Sequence, residues 1–132
     1  MYVSPENEQT PIFAIMGPTA SGKTALGVEL ALKVGGEVIN CDSVQIYKGI
    51  EIATAKPSEE ERRGVPHHLI TYVDPNVNYT AGDWARDAAA TIVDIESRGK
   101  APILVGGTGF YFRSLVHFFF VGRKILKVLA TF

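Results

Sequence analysis

Gly17-Pro18-Thr19-Ala20-Ser21-Gly22-Lys23-Thr24 follows directly on the apolar run Ile12-Phe13-Ala14-Ile15-Met16. The octet is G-x-x-x-x-G-K-[ST], the phosphate-binding loop that also marks ATP and other nucleotide sites, and it stands between a strand signal and a helix signal. Gly17 and Gly22 open backbone angles closed to other residues, so that successive N–H groups converge on anionic oxygens. The helix starting at Lys23 adds its positive dipole end. Lys23 reaches the outer phosphates as a point charge, and the Thr24 hydroxyl is the expected ligand of Mg²⁺. Gly17, Pro18, Thr19, Ala20, Ser21, Gly22, Lys23 and Thr24 are therefore the predicted di- or triphosphate cradle.

Working outward, residues 23–34 read as a helix with Leu26 and Leu30 on one face and Val28 and Leu32 beside them, ended by Gly35-Gly36. Gly27 inside it costs roughly 1 kcal/mol against alanine. Glu37 to Cys41 form a second strand that delivers Asp42 and Ser43 at its carboxyl end. Taken alone, that carboxylate suits a turn or helix cap as well as a chemical role. Residues 44–79 read as irregular, punctuated by Pro57, Pro66, Pro75, Gly49 and Gly64, with Ser58 to Arg63 as a solvated helical turn. Thr80-x-x-Asp83 is a capping box opening a helix whose stripe of Trp84, Ala88, Ile92 and Ile95 is core, and Gly99 closes it. Ala101 to Val105 make a third strand, and Gly106-Gly107-Thr108-Gly109 leads into a helix from about Phe110.

This alternation predicts an α/β fold, a parallel sheet with flanking helices. Ligands of such sheets sit at the carboxyl ends of the strands, where the phosphate loop, Asp42-Ser43 and residues 106–109 converge.

The 132 residues, 46% hydrophobic, suffice for one domain with a core. Residues 1–96 carry 7 basic and 14 acidic residues, whereas residues 97–132 carry 6 basic and none acidic. The basic third suits nucleic acid, a solvated face or an atypical tail alike. Cys41, the single cysteine, excludes an internal disulfide, suits a reducing compartment and reads as a buried structural thiol. Residues 1–10 lack the basic and apolar regions of a signal peptide and read as a flexible arm. Phe118 to Val121 is too short to cross a bilayer, so a soluble, cytoplasmic protein without membrane contact is expected.

Five blocks in order, residues 17–24, Asp42-Ser43-Val44-Gln45-Ile46-Tyr47, Thr54-Ala55-Lys56-Pro57, Val65-Pro66-His67-His68-Leu69 and Val105-Gly106-Gly107-Thr108-Gly109, together resemble the tRNA dimethylallyltransferases. The resemblance covers residues 11–116, the partial P-loop transferase core of a P-loop NTPase-like fold, and leaves 117–132 as an atypical tail. It implies transfer of a dimethylallyl group from dimethylallyl diphosphate to N6 of an adenosine beside the tRNA anticodon, a tRNA-processing prenyltransferase reaction. By the same resemblance Asp42 is the general base, Lys23 and Thr24 stabilise the leaving diphosphate, and Asp42, Ser43, Val44, Gln45 and Thr108 contact tRNA. Thr19 lies where donor and acceptor meet. Ala53 replaces the glycine usual before Thr54.

Family members run to more than twice this length. The implied remainder holds a helical insertion clasping the anticodon stem, further strands and a diphosphate-binding arginine. A truncated chain with three strands is expected to be marginally stable, catalytically weak and monomeric, with Ile125, Leu126, Val128 and Leu129 available as a helix that patches exposed core. Competing readings are a small-molecule P-loop kinase, a non-catalytic diphosphate- or RNA-binding remnant, and an adenylate isopentenyltransferase. The adjacent His67 and His68 read as loop packing rather than a zinc site.

Overall fold

The computed structural model describes residues 12–17, 22–43, 46–48, 57–107, 109–119 and 125–129. Strand β1 (Ile12–Met16) leads through helix α1 (Lys23–Val34) to β2 (Gly36–Asn40). A one-turn helix α2 (Glu59–Arg62) and a two-residue strand β3 (His67–His68) follow, then α3 (Ala81–Ser97), β4 (Ala101–Gly106), α4 (Gly109–Phe119) and β5 (Ile125–Leu129). The five strands form one sheet in the order β3-β2-β4-β1-β5, and every pairing is parallel.

Period-two alternation assigns the central strands to two cores. Ile12, Ala14 and Met16 of β1, Ile39 of β2 and Leu104 of β4 face the α3–α4 layer, packing with Trp84, Ala88, Ile92, Ile95, Tyr111 and Leu115. Ile15, Val38, Ile103 and Val105 face the other way, onto Val28 and Ala31 of α1. Both sheet faces are thus covered, which is why β1 and β4 read as continuous apolar runs.

Local signals act where the sequence puts them. Ser58 and Glu61 close a reciprocal cap on α2, and Thr80 and Asp83 do the same on α3. Gly35 ends α1 in the left-handed region at φ 68°. The buried side of α1, however, is Lys23, Gly27, Val28 and Ala31. Leu26 and Leu30 pack only partly, and Leu32 is exposed, so the expected leucine face is rotated toward the smaller residues. Close approach explains it: a β-carbon on Gly27 would stand 2.7 Å from Val105 Cγ2.

Two strands go beyond the three expected. His67–His68 pairs with Val38 and Ile39 within a segment that reads as irregular, because proline and glycine punctuation hides a strand of only two residues. Residues 125–129 form a strand beside β1 rather than a helix, in register from Ile12↔Ile125 to Met16↔Leu129. β1 therefore has a neighbour on each side.

Candidate active site at the carboxyl edge of the sheet

Register brings three strand ends to one rim. Met16 lies opposite Gly106, and Asn40 lies opposite Val105. Beyond them the chains still touch: Gly17 N–H donates to the Gly106 carbonyl at 3.1 Å, and Cys41 N–H donates to the Val105 carbonyl at 2.8 Å. The glycines permit this approach. A β-carbon on Gly106 would lie 2.1 Å from the Cys41 carbonyl oxygen, and one on Gly107 would lie 2.8 Å from that of Gly17.

α1 starts at this rim. Its N-cap, Gly22, is left-handed at φ 83°, offers no capping side chain, and is followed by no acidic residue in the first turn. The N–H groups and positive dipole end of α1 therefore face the edge without a protein carboxylate in that turn to neutralise them. Lys23 is buried at 6% exposure, and Thr24, half-buried, lines a water-sized pocket of about 20 Å³ with Val38, Asn40, His67 and Val105. A cation held at the first position of α1, beside the positive end of the helix dipole, suits a site for an anion.

Asp42 and Ser43 sit half-buried just past β2. The turn that carries them is held from several sides. Asn40 Nδ2 donates to the Asp42 carbonyl at 3.1 Å and to the Leu69 carbonyl at 3.0 Å, while the Trp84 indole N–H donates to the Asn40 carbonyl at 2.9 Å. Downstream, the N–H groups of Tyr72 and Val73 both donate to the buried Ile46, and Tyr47 bridges to Val73. Trp84 stacks on Tyr111 with ring centroids 5.2 Å apart, beneath the same turn. Burial pushes the Tyr111 phenol up to about 12, helped by Tyr47, Cys41 and Asp42. The Cys41 thiol, fully buried, is pushed well above the usual thiol range by burial and then by the neighbouring Asp42 charge.

The rim thus gathers Gly17, Gly22, Lys23, Thr24, Asp42 and Ser43. Pro18, Thr19, Ala20, Ser21, Val44, Gln45 and Thr108 lie outside the described residues. His67 contacts the Val65 carbonyl through Nδ1 at 2.9 Å, and burial lowers its pKa; His68 Nε2 meets Glu37 Oε1 at 2.7 Å. Among the described residues, no group of three His, Cys, Asp or Glu side chains is placed to hold a metal. Sequence reasoning overlooked Asn40. The signal was there, an amide directly after the apolar pair Val38-Ile39 at the end of a strand.

The IPP transferase family pattern matches residues 45–127. The chain belongs to the IPP transferase family. This IPP transferase chain is 59% identical over 110 residues to a tRNA dimethylallyltransferase of Geobacter metallireducens, covering 83% of its own length and 36% of the relative's. It is 54% identical to one from Solibacter usitatus, with 85% and 36% covered. Among solved structures, the full-length tRNA isopentenylpyrophosphate transferase of Bacillus halodurans superposes with a TM-score of 0.80 at 46% identity, covering 86% of this chain and 38% of that one. A eukaryotic dimethylallyltransferase described as acting on tRNA gives 0.78 at 43% identity, covering 81% and 27%. The chain spans about a third of the length of the curated relatives it matches. Among the described residues, no helix is long and apolar enough to cross a membrane.

Proposed function

We propose that this chain carries the donor-binding and proton-accepting part of a cytoplasmic, monomeric tRNA dimethylallyltransferase. In this reading, the first turn of α1, Lys23 and the residue 17–24 loop grip dimethylallyl diphosphate. Thr24 supplies a hydroxyl oxygen for Mg²⁺. An oxygen donor set with few protein ligands suits that hard cation, whose chemistry is to neutralise charge on a leaving diphosphate. Adenosine N6 attacks the allylic carbon as its bond to the diphosphate oxygen breaks. One N6 proton passes to the Asp42 carboxylate. The lone pair of N6 is delocalised into the ring, so removing that proton and stabilising the departing oxygens are what the side chains must supply. Ser43, Val44, Gln45 and Thr108 hold the unstacked base and its flanking nucleotides.

One observation carries the reading: the start of α1, with its secluded Lys23, and the Asp42 turn share the carboxyl edge of one sheet in an IPP transferase chain.

The test incubates the chain with dimethylallyl diphosphate, Mg²⁺ and unmodified tRNA, followed by nucleoside analysis, with Asp42→Asn and Lys23→Met alongside. Prenylated adenosine from the wild type, and at least about a hundredfold less from Asp42→Asn, is expected. Equal product from both removes the carboxylate from its role. Phosphoryl transfer from ATP to a small acceptor, without prenyl transfer, would make the chain a kinase instead. Thermal stabilisation by Mg²⁺-diphosphate without product would leave a binding remnant.

A further inference from the structure

Asn40 closes β2 at 4% exposure, and its carboxamide is spent on two backbone carbonyls. One belongs to Asp42, two residues on; the other belongs to Leu69, which follows β3. Leu69 and Thr71 adopt φ of 61° and 55°. Non-glycine residues hold the left-handed region only where their surroundings fix them. The Asn40 backbone carbonyl meanwhile receives the Trp84 indole N–H from α3. An aliphatic side chain would fill the same buried space without desolvating two donors. What the amide adds is geometry.

We infer that Asn40 is a positioning residue: it clamps the turn bearing Asp42 to the strained Leu69–Thr71 segment, and so fixes the acceptor side of the site relative to the start of α1. The clamp stands on these hydrogen bonds alone. Its consequence for RNA rests on the proposed function.

The experiment uses the full chain as wild type, Asn40→Leu and Asn40→Asp, two substitutions of similar volume that remove both donors. Hydrogen exchange is followed by NMR. In the wild type, the Asn40 side-chain N–H protons exchange at least about tenfold more slowly than those of the exposed Asn76 and Asn78. Equal rates overturn the clamp without recourse to any variant, and this measurement decides the matter should the variants not fold.

In folded variants, exchange at the Ser43 and Thr71 amides rises about tenfold while Ile103 and Leu104 in β4 stay within about threefold. A uniform rise at all four reduces Asn40 to an ordinary core contribution, and no rise removes it altogether. In the same variants, affinity for Mg²⁺-dimethylallyl diphosphate stays within about twofold, and affinity for an anticodon stem-loop RNA falls about tenfold. Equal loss of both ligands contradicts a clamp specific to the acceptor side. A wild-type chain that binds neither ligand counts against the proposed function, and the exchange rates then decide the clamp.

Discussion

Gly106 crosses Cys41 so closely that a β-carbon on Gly106 would sit 2.1 Å from the Cys41 carbonyl oxygen. The obstacle is backbone rather than a side chain, and Cys41 is itself tied to Val105 by its N–H. It has no room to yield. Gly106→Ala is therefore expected to destabilise the chain by about 3 kcal/mol, toward the upper end of overpacking effects, and to part β2 from β4 at their carboxyl ends. Gly107→Ala, facing Gly17 at 2.8 Å, should cost less. Urea unfolding checks the order. A Gly106→Ala chain as stable as the wild type would show that the strand ends are not in contact.

Acid sensitivity should centre on Glu37. Its side chain, 6% exposed, receives Arg98 Nη2 at 2.9 Å on Oε1, a second bond from Nη1 on Oε2, and His68 on Oε1. The Arg98 guanidinium is the main cause that holds its pKa near 2, against an ordinary 4.5; burial opposes and His68 assists. A carboxylate lowered in the folded state stabilises above its unfolded value, and that stability disappears as pH falls from 4.5 toward 2. Arg98 is 42% exposed, so solvent screens the pair and the contribution is smaller than the shift alone implies. Glu37→Gln should lose it near neutrality and converge on the wild type in acid. A stability difference that does not change between about pH 6 and pH 3 would contradict the assignment.

Much of this was legible in the chain because the signals are local. Residues 23–34 gave α1 from composition and its closing glycines, and Thr80 and Asp83 form the reciprocal cap that their spacing implies. Trp84, Ala88, Ile92 and Ile95 are all fully buried, as their spacing requires. The parallel sheet and the meeting of the β1, β2 and β4 ends at one edge follow from alternating strand and helix signals. The non-local features were not legible. β3 exists only through its pairing with β2, and β5 only through β1; neither carries a strong signal of its own. The role of Asn40 depends on a carbonyl 29 residues away. Gly27 read simply as a weak helix residue, since the chain alone does not say that Val105 faces it.

That contact reverses the usual sign of a helix substitution. Replacing a mid-helix glycine by alanine ordinarily gains about 1 kcal/mol. At Gly27 the new methyl would meet Val105 Cγ2 at 2.7 Å, and a β-branched residue in a strand has few rotamers into which it can retreat. Gly27→Ala is expected to be neutral or destabilising, whereas Gly27→Ala combined with Val105→Ala recovers about 1 kcal/mol relative to the sum of the two changes. Additivity within about 0.3 kcal/mol in a double-mutant cycle would mean that α1 and β4 are farther apart than described.

Cys41 offers a probe of how firmly the rim is closed. The thiol is fully buried, and burial together with Asp42 raises its pKa, so the reactive thiolate is suppressed in the folded state. Alkylation by iodoacetamide should then proceed only through opening of the turn after β2. Trp84→Phe keeps an aromatic ring against Tyr111 but removes the N–H that donates to the Asn40 carbonyl, leaving that buried acceptor one partner short. The loss is worth about 1 kcal/mol, and the labelling rate should rise about fivefold to tenfold while the global unfolding midpoint shifts only modestly. Mass spectrometry of the native chain over time reads the rate. Immediate labelling of the wild type, at the rate of an unstructured thiol, would contradict a closed rim, and an unaltered rate in Trp84→Phe would free the turn from any dependence on the indole.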